Sequence, residues 1–472
     1  MSWLNLLSFA GIFALCAIAW LGSENRRVIG WKVVLWGIAL QLALGLLVFT
    51  FPITRAVISV ISNGVNAILD ATEAGSRFLF GSLLVPDPNA VPGAVLVGRW
   101  ISRAVTPPYV PVAGDRLSPD NLNLGYIFAF RALPSVIFFS ALMSLLYYLG
   151  VIQPIVNFFA KIFRRSMNLS GAESLSGATN IFVGIESALV VRPYLESMTR
   201  SELCAILTAC YGSIASTVLA LYAGLLRPVF PNITGHLVSA SLMAIPACFV
   251  TSKLLVPETE VPKTLGSLPK EEAGDNRQSN AMESVITGAM DGVKLAISIA
   301  ALLVAILGLV ALVNLFFGNL ASLATSNSLI LRRIGLIFQV VTLQNIMGAL
   351  FVPLTFLTGV SANWNEIWTA STLIGRRLLE TEVPAYQQLG ALADQGAISD
   401  RALLITSYAL CGFAHLPSVG IFLGGFSSLI PSRRKDLSSL GWKALWAATL
   451  ATLMIGCVAG VFYFGNPSVL RG

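Results

Sequence analysis

Apolar windows recur along this whole chain, and a helix of about 20 apolar residues is what it takes to cross the hydrocarbon of a bilayer. Eight stretches meet that length: 3–21, 30–50, 127–150, 202–226, 237–255, 292–317, 400–430 and 440–466. Composition agrees, with 56% hydrophobic and only 11% charged residues, against about 25% charged in a soluble domain. The period-2 pattern of a membrane β-barrel is absent. The expected fold class is therefore an all-α polytopic membrane protein with eight transmembrane helices. The net charge of +7 lies mostly in short loops, where it sets orientation, and does not point to a nucleic-acid partner. The six cysteines fall in apolar runs without a CxxC pair and read as buried thiols.

Basic clusters follow alternate spans: Arg26, Arg27 and Lys32; Lys161, Arg164 and Arg165; Lys253, Lys263 and Lys270; Arg433, Arg434 and Lys435. If those loops are cytoplasmic, both termini lie outside. Residues 3–21 have no basic start and run straight into Arg26, so they read as a retained span, not a signal peptide. The Pro- and Gly-rich segment 51–126 then lies outside as well, with one amphipathic helix near 55–80. Residues 257–282 read as a flexible cytoplasmic linker.

Three stretches, 152–198, 330–360 and 365–396, are apolar in part but broken by charge, Gly or Pro. Irregular backbone at membrane depth is tolerated only inside protein or beside a wet cavity. They read as re-entrant hairpins and interfacial helices. Two regions also resemble each other, IESALVVRPYLESMTRSELCAILTACYGSIAS and LETEVPAYQQLGALADQGAISDRALLITSYALCGFAHLPS. Each carries a glutamate, a Pro and a Tyr, a polar turn, then an apolar helix with Cys, Gly and Ser near its middle. The charge pattern has them enter from opposite sides, which is the pattern of inverted repeats whose discontinuities meet at a substrate site.

The candidate chemistry follows. A glutamate at membrane depth costs on the order of 3 kcal/mol, so Glu186 and Glu382 face a cavity or a partner. One reading is structural pairing, Glu186 with Arg192, or Glu382 with Arg376 or Arg377; the other is substrate binding or ion coupling. Asn180 and Ser213 offer side-chain oxygens beside helix breaks, as cation ligands or as interhelical hydrogen bonds. His415, in CGFAHLPS, is a packing residue, a cavity-facing donor or a proton-coupling group. HExxH, GxSxG and P-loop patterns are absent from the sequence. An intramembrane enzyme built from Glu186, Glu382 and His415 is the rival from another class.

FAFRALPSVIFFSALMSLLYYLG, SGAESLSGATNIFVG, SYALCGF and the RR-x-DL-x-x-LG pattern at 433–441 resemble the concentrative nucleoside transporters. The resemblance covers roughly 127–465. It implies a homotrimer in which an elevator-type transport domain slides against a scaffold and imports nucleosides with sodium or protons. On that resemblance Asn180, Val183, Ser213 and Ile214 form the sodium site, and sodium is co-transported with no organic cofactor. Val218 packs on the nucleobase, Glu382 binds ribose, and Phe413 and Ser418 line the site. The first tip, Gly184-Ile185-Glu186-Ser187, departs from the family's Gly-Gln-Thr-Glu. His415 and Thr381 both stand where the family has Asn. An altered pocket implies an atypical nucleoside or another polar small molecule.

The expected organisation places N-terminal spans and an extracytoplasmic insertion in 1–126, and a scaffold span and interfacial helix in 127–170. The first hairpin repeat is 171–256; a cytoplasmic linker and interfacial helix occupy 257–291. A long scaffold helix and interfacial helix fill 292–360, and the second hairpin repeat is 361–472. The expected location is the bacterial inner membrane, with lipid as a partner.

Overall fold

The computed structural model describes residues 2–81, 84–85, 127–184, 187–214, 216–266 and 280–465. Among them every regular element is helical. Six helices are long and apolar enough to cross a bilayer, or seven if one pair bent by 63° counts as a span. The windows expected at 202–226 and 400–430 are each cut into two shorter helices.

The first three helices are α1 (Trp3–Leu21), α2 (Trp31–Thr50) and the amphipathic α3 (Pro52–Phe80). The tips PDPNAVPG and TPPYVPVAGD of the expected insertion lie outside the described residues. Helix α4 (Phe128–Tyr148) and the amphipathic α5 (Ile152–Met167) lead into the first helix–turn–helix unit. That unit comprises α6 (Gly171–Val183) and the short returning helices α7 (Ser187–Val190) and α8 (Arg192–Leu195). A cut helix follows, α9 (Arg200–Gly212) and α10 (Ser216–Leu226), and then α11 (Ile233–Leu255).

The same order then returns. Helix α12 (Ala281–Ala321) and the bent pair α13 (Leu329–Phe338) and α14 (Leu343–Leu357) precede a second hairpin, α15 (Trp364–Glu380) and α16 (Glu382–Asp394). A second cut helix, α17 (Asp400–Ala409) and α18 (Leu416–Leu429), is followed by α19 (Arg434–Val461). Helices α11 and α19 are apolar all round and form the middle of the body, with 89% and 94% of their spanning windows buried; the figure for α12 is 6%. A helix hydrophobic on every side belongs either in a core or against lipid, and both solutions occur here.

Two expectations are corrected. Among the described residues no separate interfacial helix lies before the scaffold helix: α12 begins at Ala281 and runs unbroken for 41 residues, about 60 Å at 1.5 Å per residue. It has no internal Pro to stop it, and its lower half is held by α4. Secondly, Lys253 is not a loop cation. It is buried at the end of α11, with Nζ 2.5 Å from Glu173 and 3.1 Å from Glu258. The N-terminus of α6 brings Glu173 there as half of a capping box with Ser170.

Helices α4 and α12 approach through small residues. A Cβ on Gly288 would lie 2.8 Å from the Ser140 carbonyl oxygen, and one on Gly292 would lie 2.7 Å from the Ile137 Cα. Backbone atoms cannot swing aside as a side-chain tip can, so these glycines set the distance between the two helices. Ser144 and Ser284 close the pair with hydroxyl oxygens 3.0 Å apart. The substitution Gly292→Leu is expected to destabilise the protein by about 1–3 kcal/mol, read as a lower melting temperature in detergent. Gly308→Leu, on open surface of the same helix, is expected to leave the melting temperature unchanged.

Candidate functional site

Two helix cuts face each other inside the body. The first lies at Ser213, whose backbone is extended, and the second runs from Leu410 to His415. They touch because both carry glycine at the crossing: a Cβ on Gly412 would lie 2.8 Å from the Gly212 carbonyl oxygen, and one on Gly212 would lie 2.2 Å from the Cys248 Sγ. Only residues without a side chain allow that approach.

The hairpin tips reach the same place. Gly184 ends α6 with φ +63°, and Thr381 separates α15 from α16 with φ +91°. Gly184, Thr381 and Glu382 line one cavity with Val218 of α10 and with Phe413, His415, Ser418 and Phe422 from the second cut helix. The opposite wall is apolar and belongs to α12: Leu295, Ile299, Leu302 and Leu303.

Glu382 is the carboxylate of this cavity, 3% exposed. It occupies the first position of α16, where unpaired backbone N–H groups favour negative charge. Tyr222 donates its hydroxyl to Oε1. Tyr222 is itself stacked on Tyr386 at 4.8 Å, and Tyr386 donates to the Ser407 carbonyl at 2.8 Å. His415 Nε2 faces Oε2 at 3.1 Å. Oε1 is thus fixed by Tyr222, and Oε2 lies beside the His415 ring with lone-pair capacity left for a ligand hydroxyl.

His415 also caps α18. Its Nδ1 accepts the Ser418 backbone N–H at 3.1 Å. An imidazole nitrogen that accepts carries no proton, so the ring proton sits on Nε2, on the cavity side. Ser418 Oγ is spent locally, within 2.5 Å of the Phe413 carbonyl and 2.6 Å of the His415 carbonyl. Thr381 Oγ1 is buried without a hydrogen-bond partner among the described residues. Pairing of Glu382 with Arg376 or Arg377 does not occur. Arg376 binds Glu380, with Nε at 3.0 Å and Nη2 at 2.7 Å from its Oε2. Arg377 points to the Ala409 carbonyl at 2.5 Å and to Thr452 Oγ1 at 3.0 Å. Consecutive helical residues project about 100° apart, so the two arginines leave α15 on different sides.

A second cluster lies beside the first cut. Asn180 Nδ2 is 2.6 Å from the Ala209 carbonyl and 2.7 Å from Ser213 Oγ. Ser187 Oγ reaches Asn180 Oδ1 at 3.4 Å, so Ser187 faces this cluster and is absent from the cavity lining. The Ile214 carbonyl accepts from Ser241 at 3.3 Å. Val183 closes α6 just before the tip. Ile185 and Glu186, the latter proposed to pair with Arg192 or to face the cavity, lie outside the described residues. His236 packs: its Nδ1 is 2.9 Å from the Tyr408 hydroxyl, and its ring stacks on Phe49.

Three family profiles cover the chain. Residues 10–83 match "Na+ dependent nucleoside transporter N-terminus", 129–229 match "Nucleoside recognition", and 236–460 match "Na+ dependent nucleoside transporter C-terminus". The chain belongs to the concentrative nucleoside transporter family. It is 33% identical over 461 residues to an uncharacterised transporter of Haemophilus influenzae, covering 97% of each chain. It is 34% identical to sodium/nucleoside cotransporter 1 of Rattus norvegicus, covering 97% of this chain and only 64% of the rat protein. The solved structure of CNTnw in an inward-facing substrate-bound state matches with a TM-score of 0.81 at 34% identity over 99% of each chain. Like these relatives, the chain is an integral membrane transporter and not an enzyme.

Several site residues of this family member were not singled out in the sequence. Tyr222 looks like any aromatic in an apolar helix, Tyr386 was read only as the tyrosine of the repeat, and nothing in their spacing shows that α10 and α16 will stack them. The α12 wall is equally silent, since an apolar helix face carries no mark of what it lines. We expect Tyr222→Phe to remove the only described donor to Glu382 Oε1 and weaken ligand binding at this cavity by about 1–3 kcal/mol, measured by calorimetric titration. A β-branched residue at positive φ stores about 1–3 kcal/mol. Thr381→Gly should therefore raise the melting temperature of the ligand-free protein while weakening binding.

Proposed function

We propose that this chain is a sodium-coupled importer of nucleosides. The observation that carries the reading is the meeting of two hairpin tips and two cut helices at one cavity, with the Asn180–Ser213 cluster beside it. Glu382 Oε2, Thr381 and the Nε2–H of His415 bind sugar hydroxyls, and Val218, Phe413 and Phe422 pack on the base. Gly184 lines the first tip's side of the cavity, and Ile185, standing where the resemblance puts the family's Gln, favours a nucleoside whose base edge makes few hydrogen bonds.

Sodium, as co-transported substrate, is held by Asn180, Ser213 and the carbonyls of Val183 and Ile214. All four are oxygen donors or become so when the Asn180 amide turns over to present Oδ1. The cut end of α9 adds the negative pole of a half-helix dipole.

In this reading the hairpins are re-entrant, eight spans cross the membrane, and segments 171–256 and 361–472 are inverted repeats forming an elevator-type transport domain. They slide against a scaffold of 127–170 and 292–360 at the smooth α12 wall, with segments 1–126 and 257–291 connecting and flanking. The protein works as a homotrimer in a bacterial inner membrane, with both termini extracytoplasmic. The relatives named above support the substrate class and the ion.

The test is uptake of tritiated uridine, adenosine and other nucleosides into proteoliposomes, with and without an inward sodium gradient. Sodium-stimulated uptake is expected, and Asn180→Ala with Ser213→Ala should lose most of the stimulation. Uptake that follows a pH gradient in sodium-free buffer would replace sodium by protons. No uptake of any nucleoside would remove the substrate class.

A further inference from the structure

Arg377 is the largest fully buried side chain of the described residues, with 0% exposure. The site described above gives it no task. An unpaired cation at such depth is costly, and two of its nitrogens, Nε and Nη2, have no hydrogen-bond partner among the described residues. No carboxylate of the described residues forms an ion pair with it.

Its position in the repeated element order explains it. Both hairpins turn at a positive-φ residue, Gly184 in the first and Thr381 in the second. Asn180 stands four residues before the first tip, and Arg377 stands four residues before the second. Both side chains reach for the same kind of atom. Asn180 Nδ2 binds the Ala209 carbonyl at 2.6 Å, and Arg377 Nη1 binds the Ala409 carbonyl at 2.5 Å. Those two alanines correspond as well, each ten residues after the capping residue of its helix, Thr199 for α9 and Ser399 for α17. In the first unit this corner holds short oxygen-bearing side chains at the carbonyl end of a cut helix. In the second the same corner is filled by a guanidinium.

We propose that Arg377 is a built-in cation. It stands where the second hairpin unit would otherwise need a transported ion, neutralising the carbonyl end of α17 as sodium neutralises that of α9. The inference rests on the sodium reading above and adds the stoichiometry: one exchangeable cation per substrate, because the second position is occupied permanently by a side chain. It also explains how a guanidinium survives without a paired carboxylate, since aligned C-terminal carbonyls supply the negative pole of a half-helix dipole.

Radiosodium and tritiated nucleoside uptake measured together in proteoliposomes test the proposal on the native protein. One sodium per nucleoside is expected; two or more would overturn it. The variant Arg377→Asn restores the residue type of the first unit. Its sodium activation curve should change from hyperbolic to sigmoidal, with the half-saturating concentration raised about tenfold, while Arg377→Lys stays hyperbolic. A hyperbolic curve with native half-saturation in Arg377→Asn would overturn the proposal. If that variant does not fold, the stoichiometry of the native protein decides. Native uptake indifferent to sodium sinks the sodium reading itself, an outcome distinct from sodium-dependent uptake that is unaltered in Arg377→Asn.

Discussion

The carbonyl oxygens at the cut ends of α9 and α17 are the partial charges around which the second half of each repeated unit is arranged. In water such an end is solvated. Inside an apolar body every freed backbone group must find a partner in the protein. Ala209 receives the Asn180 amide and the Ser213 hydroxyl, and Ala409 receives the Arg377 guanidinium. The opposite pole appears where helices start: Glu382 opens α16, and His415 caps α18 through its own ring nitrogen. Positive and negative helix ends thus alternate within one small volume.

That volume exists because two backbones touch at Gly212 and Gly412, bringing the cuts side by side, and because the tips at Gly184 and Thr381 close over them. The polar work is done entirely by the two hairpin–cut-helix units. The face that α12 offers to the cavity is aliphatic and makes no directional bond with them among the described residues. α12 is held instead by its close packing on α4. The boundary between the aliphatic α12 face and the polar units is thus held by packing.

Much of this was legible in the chain. The length and spacing of apolar windows led to the helical membrane class, and the six uncut spanning helices coincide with windows read from composition. Pro and Gly inside apolar runs marked the places where helices stop, because an interrupted helix needs residues that tolerate a freed backbone. Gly184, Val218, Glu382, Phe413, His415 and Ser418 were named from the sequence, and they share one cavity in the fold. Ser187 was named with them, yet its hydroxyl turns to Asn180. Two residues three apart in the chain serve different clusters, and sequence order alone cannot say which lines the cavity. Lys253 had the look of a loop cation and became a buried partner of Glu173, a contact 80 residues apart in sequence that only packing creates.

What the sequence determined by itself was the solvent of the fold, the helical class and the positions of its interruptions, since these follow from transfer of side chains and backbone into hydrocarbon, residue by residue. What the tertiary structure decided was pairing. Arg376 goes to Glu380 while Arg377 goes to a helix end, Tyr222 finds Glu382, and the two glycines meet. Each pairing depends on distances between helices far apart in the chain, set by packing at contacts of a few ångströms, and no local pattern of residues encodes them.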